Sequence, residues 1–136
     1  MSLVLIVEDN PTNMKLASLL LTKGGHTVMC AIDAESGLAL ARSKLPDLIL
    51  MDLQLPGMDG ISATAILKRE SATAAIPVIA VTALALKADE DQSRSAGCDA
   101  YIVKPLRYKE LFAEIDAQLA RARANKASPK PPVCSP

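Results

Sequence analysis

The chain has 136 residues, which fits one domain of the usual size, about 100–200 residues. Fifteen basic residues against fifteen acidic ones leave no net charge, so no basic field exists to hold nucleic acid or an anionic membrane surface. Half the residues are apolar, yet 22 are alanine and three are aromatic (Tyr101, Tyr108, Phe112), a composition that favours closely packed helices over an aromatic stacking surface.

Leu3-Val4-Leu5-Ile6-Val7 is a continuous apolar run and predicts a strand buried on both faces, as in a parallel sheet. Asn10-Pro11 predicts a helix start, with Asn as N-cap and Pro at the first helical position. Met14, Ala17, Leu20 and Leu21 share one face of that helix, and Gly24-Gly25 ends it. Thr27–Ala31 predicts a second strand. Asp33 caps a second helix to about Ser43, which Pro46 stops, and Leu48–Met51 predicts a third buried strand. Leu53–Asp59 is a loop punctuated by Pro56 and Gly57. A helix over Ile61–Glu70 follows, with Ile61, Ala65 and Leu67 or Ile66 facing inward. Pro77–Val81 predicts a fourth strand, Lys87–Ala96 a helix closed by Gly97, and Tyr101–Val103 a short fifth strand. The last helix is predicted over Leu106–Ala124, with Leu111, Phe112, Ile115, Leu119 and Ala122 as its buried stripe. Ala127–Pro136 holds four of the nine prolines and is expected to be a disordered tail or the start of a linker. The domain is therefore placed at 1–124 and the tail at 125–136.

Apolar runs such as Leu3–Val7 are far shorter than the ~20 residues of a membrane span, so no membrane partner is expected. Met1-Ser2-Leu3 offers no basic segment or cleavage site of a secretory signal, which points to a cytoplasmic protein. Cys30, Cys98 and Cys134 are odd in number and lack a C-x-x-C pair, so reduced thiols are expected rather than disulfides or zinc. Cys134, in the tail, is the one expected to react with thiol reagents. His26 is the single histidine. No serine or cysteine motif accompanies it, and it reads as a surface or strand-start residue.

Five strands alternating with five helices predict a doubly wound α/β domain with a parallel sheet. Ligands of such sheets bind beyond the carboxyl ends of the strands. There the sequence places Glu8 and Asp9 after the first strand, Asp52 after the third, Thr82 after the fourth and Lys104 after the fifth. Three carboxylates and one ammonium give the cluster a bare charge of −2. Carboxylates this close repel one another, and a divalent cation would bring the sum to zero. Oxygen ligands in small number suit Mg²⁺, completed by water and phosphate oxygens. A cation site beside a carboxylate, a lysine and a hydroxyl is suited to in-line phosphoryl transfer onto the carboxylate. Neither G-x-x-x-x-G-K-[ST] nor G-x-G-x-x-G nor G-x-S-x-G is present, which argues against bound ATP or NAD and against a hydrolase elbow.

The motifs are Val7-Glu8-Asp9-Asn10, Leu50-Met51-Asp52 with Pro56-Gly57-Met58-Asp59-Gly60, Val81-Thr82-Ala83, and Lys104-Pro105. Thirty positions separate Asp52 from Thr82, and 22 separate Thr82 from Lys104. In this combination the chain resembles the receiver domain of two-component response regulators, the CheY-like family, over about residues 3–122. Asn13-Met14-Lys15-Leu16, Gln54-Leu55-Pro56, Gly97-Cys98 and Ala100-Tyr101-Ile102 resemble, within it, the single-domain DivK-type cell-cycle regulators. The resemblance implies a flavodoxin/CheY-like sheet in the order 2-1-3-4-5 with five helices. It implies that Asp52 becomes the aspartyl phosphate, with phosphate taken from a sensor histidine kinase or a histidine phosphotransfer protein. Mg²⁺ would be ligated by Asp9, Asp52 and the Gln54 backbone carbonyl, with Glu8 acting through water. Thr82 and Lys104 would bind phosphoryl oxygens, Thr82 and Tyr101 would form the switch, and Lys104-Pro105 would be a cis peptide. A downstream protein would bind the face of the fourth helix, fifth strand and fifth helix. Such a protein is a switch, not a turnover enzyme. Two other readings carry less: a receiver module excised from a hybrid histidine kinase or larger regulator, and a metal-dependent aspartyl-phosphate phosphatase. Haloacid-dehalogenase phosphatases carry a second acid two residues after the nucleophile, where this chain has Gln54.

Overall fold

The computed structural model describes residues 2–83 and 86–127. Its strands are β1 (Leu3–Val7), β2 (Thr27–Ala31), β3 (Leu48–Asp52), β4 (Val78–Thr82) and β5 (Ala100–Val103). Its helices are α1 (Pro11–Lys23), α2 (Ala34–Lys44), α3 (Gly60–Arg69), α4 (Lys87–Ala96) and α5 (Tyr108–Ala127). The strands form one sheet in the order β2-β1-β3-β4-β5, with every neighbouring pair parallel. This is the doubly wound arrangement expected from the alternating pattern.

Alternate residues of each buried strand feed two separate cores, as the two-residue period of a strand requires. Leu5, Val7, Ile49, Met51, Val78 and Ala80 pack against α2 and α3 through Ala34, Leu38, Ala41, Ala63 and Leu67. Val4, Ile6, Leu48, Leu50, Ile79 and Val81 pack on the other face against Ala17 and Leu21 of α1 and Leu111, Ile115 and Leu119 of α5. β3 and β4 are buried along their whole length, which is why they read as unbroken apolar runs. The helix starts are local chemistry: Asn10, Asp33 and Asp59 each accept a hydrogen bond from the backbone N–H three residues on.

Several boundaries and faces differ from expectation. β3 includes Asp52 and β4 includes Thr82, so both end their strands instead of following them. α3 buries Gly60, Ala63, Thr64 and Leu67, while Ile61, Ala65 and Ile66 lie half-buried on its flanks. α5 begins at Tyr108, not Leu106, because its first helical bond runs from Leu111 N–H to the Arg107 carbonyl. Its stripe is Leu111, Ile115 and Leu119 with a buried Gln118; Phe112 and Ala122 sit at the rim. The Gln118 amide donates to the Asp99 carbonyl and to Glu114, which satisfies a polar group in an apolar stripe. α5 continues through Ala127, so position 124 falls inside the helix. Residues 128–136, including Cys134, lie outside the described residues. His26 precedes β2 half-buried, and its Nδ1 is buried without a hydrogen-bond partner among the described residues. Among the described residues no helix is long and apolar enough to cross a membrane.

Candidate functional site

The carboxyl ends of β1, β3, β4 and β5 converge on one edge of the sheet. Register fixes the meeting. Val7 stands opposite Met51, Asp52 opposite Val81, and Thr82 opposite Val103, so the next residues out are Glu8, Asp9 and Lys104. Glu8, Asp52 and Thr82 are buried, whereas Asp9 is exposed at the rim. One carboxylate oxygen from each of Glu8, Asp9 and Asp52 lies within 4.8 Å of the others. Three hard, anionic oxygens in that space have the chemistry of a small divalent cation site.

Lys104 crosses the cluster. Its Nζ donates to Glu8 Oε1 at 2.8 Å and to Asp52 Oδ2 at 3.2 Å. The Gln54 N–H donates to Asp52 Oδ1 at 2.9 Å, so both oxygens of that carboxylate are oriented. Glu8 Oε2 accepts from the Asn10 N–H at 3.1 Å. Burial, above all, holds the Glu8 carboxyl above the ordinary carboxylate range. The Lys104 bond opposes that shift, and the neighbouring Asp52 adds to it. Burial likewise works against the Lys104 charge. The bond to Glu8 and the charges of Asp52 and Glu8 outweigh it, and the ammonium is held above its usual range. The Lys104–Pro105 peptide is cis.

Tyr101 lies three residues before Lys104, half-buried against the α2–α3 core. Burial and then the charges of Asp89 and Glu90 on α4 raise its phenol above the ordinary value. The chain thus brings Glu8, Asp9, Asp52, Thr82 and Lys104 to one sheet edge and sets Tyr101 beside α4. Two features were not read from the sequence. The Asn10 N–H fixes Glu8, which is invisible because it is a backbone donor. An apolar pocket beside the acids is lined by Leu16, Ala17, Leu50, Val81 and Leu106, which meet only through tertiary packing.

Residues 4–116 match the family described as the response regulator receiver domain. The chain is 44% identical over 119 residues to the polar-differentiation response regulator DivK of Brucella anthropi, spanning 88% of this chain and 97% of that protein. A CheY-like receiver domain protein from Methanospirillum hungatei superposes with a TM-score of 0.86 at 28% identity, covering 92% of this chain and 98% of the other. The receiver domain of a sensor histidine kinase from Pseudomonas aeruginosa does so with a TM-score of 0.82 at 33% identity, covering 88% and 98%. That domain was solved with a magnesium ion coordinated in its active-site cleft. Sheet order, the acids at its carboxyl edge and a match across most of the sequence agree, and the chain belongs to the response regulator receiver domain family.

Proposed function

We propose that the protein is a phosphorylation switch that accepts a phosphoryl group on Asp52 and changes its binding to other proteins. One observation carries the reading. A buried carboxylate, oriented through both oxygens, shares one cluster with an acid pair able to hold a cation and accepts from a lysine at 3.2 Å. The donor is a phosphohistidine on a sensor histidine kinase or histidine phosphotransfer protein. An Asp52 carboxylate oxygen bonds to phosphorus as the phosphorus–nitrogen bond breaks, and the electron pair leaves with the imidazole. Lys104 offsets charge on the equatorial oxygens, and the Thr82 hydroxyl donates to one of them.

The donor set fits Mg²⁺: Asp9, Asp52 and the Gln54 carbonyl would hold it, with Glu8 acting through water. Bound there, the ion would supply charge neutralisation to the transferring phosphoryl group. The family reading also makes the protein a signalling component and not a turnover enzyme. Free Cys30 and Cys98 thiols suit a cytoplasmic setting.

The signal leaves through the face of α4, β5 and α5. Thr82 ends β4 next to β5, and Tyr101 on β5 lies within reach of the Asp89 and Glu90 charges of α4, whose buried residue is the small Ser93. An inward shift of Thr82 toward phosphoryl oxygens would alter the space beside Tyr101. Partners would then respond through their different affinity for the two states. Asp52→Asn is expected to abolish acid-labile phosphate uptake from acetyl phosphate with Mg²⁺, read by intact-mass spectrometry. Undiminished uptake on the variant would overturn the assignment.

A further inference from the structure

Two glycines close the loop after β3, for different reasons. Gly57 has φ +72°, and none of the described residues lies within 4 Å of the place its Cβ would take; it serves backbone conformation. Gly60 has no positive φ. A Cβ there would overlap the Asp52 carbonyl oxygen and stand 2.9 Å from both the Asp52 carbonyl carbon and the Leu53 Cα. Those neighbours are backbone and cannot swing aside.

The first turn of α3 therefore lies directly on the peptide unit of Asp52; one bond ties it to the loop after β3, and two brace the turn itself. The Gly60 N–H donates to the Leu53 carbonyl at 3.2 Å. The Thr64 hydroxyl, fully buried, donates to the Gly60 carbonyl at 2.8 Å. The Cys98 thiol, buried at the α4–β5 junction, donates to that hydroxyl at 3.7 Å. α3 is anchored in turn by Ala63 and Leu67 in the core.

We infer that Gly60 is a positioning residue for Asp52, and that the Thr64 hydroxyl keeps it in place. The missing side chain lets α3 act as a stop behind the Asp52 backbone and sets where the carboxylate meets the donor phosphorus. This rests on Asp52 being the phosphoacceptor. Transfer is sensitive to placement: about 1 Å of displacement can cost ~10²-fold in rate.

The test is phosphorylation by acetyl phosphate with saturating Mg²⁺, normalised to the folded fraction by circular dichroism. Gly60→Ala is expected to lower the maximal rate at least tenfold with little change in donor half-saturation. Gly97→Ala is the control for lost stability. It has φ +110° and would press a Cβ on Lys68 Cγ at 2.6 Å, at the other end of the sheet. Its rate per folded molecule should stay at the wild-type value. Thr64→Val, which keeps the packing, should lower the maximal rate severalfold, and Thr64→Ser should restore it. These two decide the matter if Gly60→Ala does not fold. Wild-type rates in folded Gly60→Ala, or in Thr64→Val, overturn the inference alone. Phosphate uptake by Asp52→Asn would overturn the reading of Asp52 and the inference with it.

Discussion

Two lysines tie carboxylates at opposite ends of the sheet, and they are built differently. Lys68, at the amino-terminal edge, donates to the Ala74 carbonyl at 3.2 Å, the Ile76 carbonyl at 2.7 Å and Asp99 Oδ2 at 3.0 Å. Its three protons meet three acceptors, and one cation meets one anion. Asp99 Oδ2 also accepts the Val78 N–H at 2.9 Å, which ties the start of β4 to the turn before β5. Lys104, at the carboxyl edge, has two acceptors among the described residues, both belonging to a cluster of three carboxylates. The first cluster is complete in itself. The second carries excess negative charge, which repulsion makes costly unless a cation arrives. A balanced lysine fastens the chain, and an unbalanced one leaves room for a ligand.

The comparison is broken most directly by removing each ammonium while keeping its stem. Lys104→Met is expected to slow phosphorylation by acetyl phosphate about 10²-fold, the usual loss for one preorganised electrostatic contact. Lys68→Met should leave that rate per folded molecule unchanged. It should cost about 1–3 kcal/mol of stability, because two carbonyls and Asp99 lose a charged donor in a mostly covered site. Denaturant unfolding and a phosphorylation time course on the same preparations check both. A rate loss in Lys68→Met comparable to that in Lys104→Met would erase the distinction.

The charge imbalance also has a pH signature in chelator-treated protein. The Glu8 carboxyl is held above its unfolded value of 4.5, mainly by burial, so the folded state binds that proton more tightly. Its contribution is complete below pH 4.5 and is lost as pH rises through the folded value. Glu8→Gln, which cannot titrate, should therefore gain stability relative to the original protein as pH climbs from 4.5 toward neutrality. The difference between the two unfolding curves removes every group that Glu8 does not touch and reports the Glu8 carboxyl together with its partners Lys104 and Asp52. A gap that is flat with pH, or that shrinks toward neutrality, would contradict the assigned burial effect. The Lys104 ammonium, held above 10.5, loses its contribution only at alkaline pH and leaves this window clear.

The fold and the carboxyl-edge cluster were legible because a parallel sheet hides both faces of its strands. Runs such as Leu48–Met51 carry no polar residue, so a charge at the exit stands out. Lys68 gave no such signal. It sits in the last turn of α3, where a lysine reads as a helix-end charge, and its acceptors lie six, eight and 31 residues further on. The inward face of α3 misled for a related reason. Ile61, Ala65 and Leu67 or Ile66 look like the core stripe; Leu67 is buried as expected, yet Thr64 joins it because its hydroxyl is satisfied by its own helix. Gln118 likewise occupies a core position by reaching the Asp99 carbonyl. Gly60 looks like half of an Asp-Gly turn in sequence, since its contact with Asp52 exists only once α3 docks on β3.

The smallest effect is expected where the geometry looks strongest. Arg42 and Glu70 form a two-pronged pair, Nε to Oε1 at 2.9 Å and Nη2 to Oε2 at 2.6 Å, with the Arg42 side chain exposed and Glu70 half-buried. The hydrogen bond from Arg42, the largest influence, holds the Glu70 carboxyl below its ordinary value, so any gain is present above pH 4.5 and lost on acidification. Water screens such a pair, and ordering two long side chains offsets much of the attraction. Lys68 differs because its alternatives are covered: without the ammonium, the Ala74 and Ile76 carbonyls lose a donor that water replaces poorly. Arg42→Gln should therefore leave the unfolding midpoint within error at physiological salt, and any shift at low salt should fade as salt rises. A salt-independent loss as large as that of Lys68→Met would mean that coverage, not just charge balance, has been misjudged as the difference between a fastening contact and a decorative one.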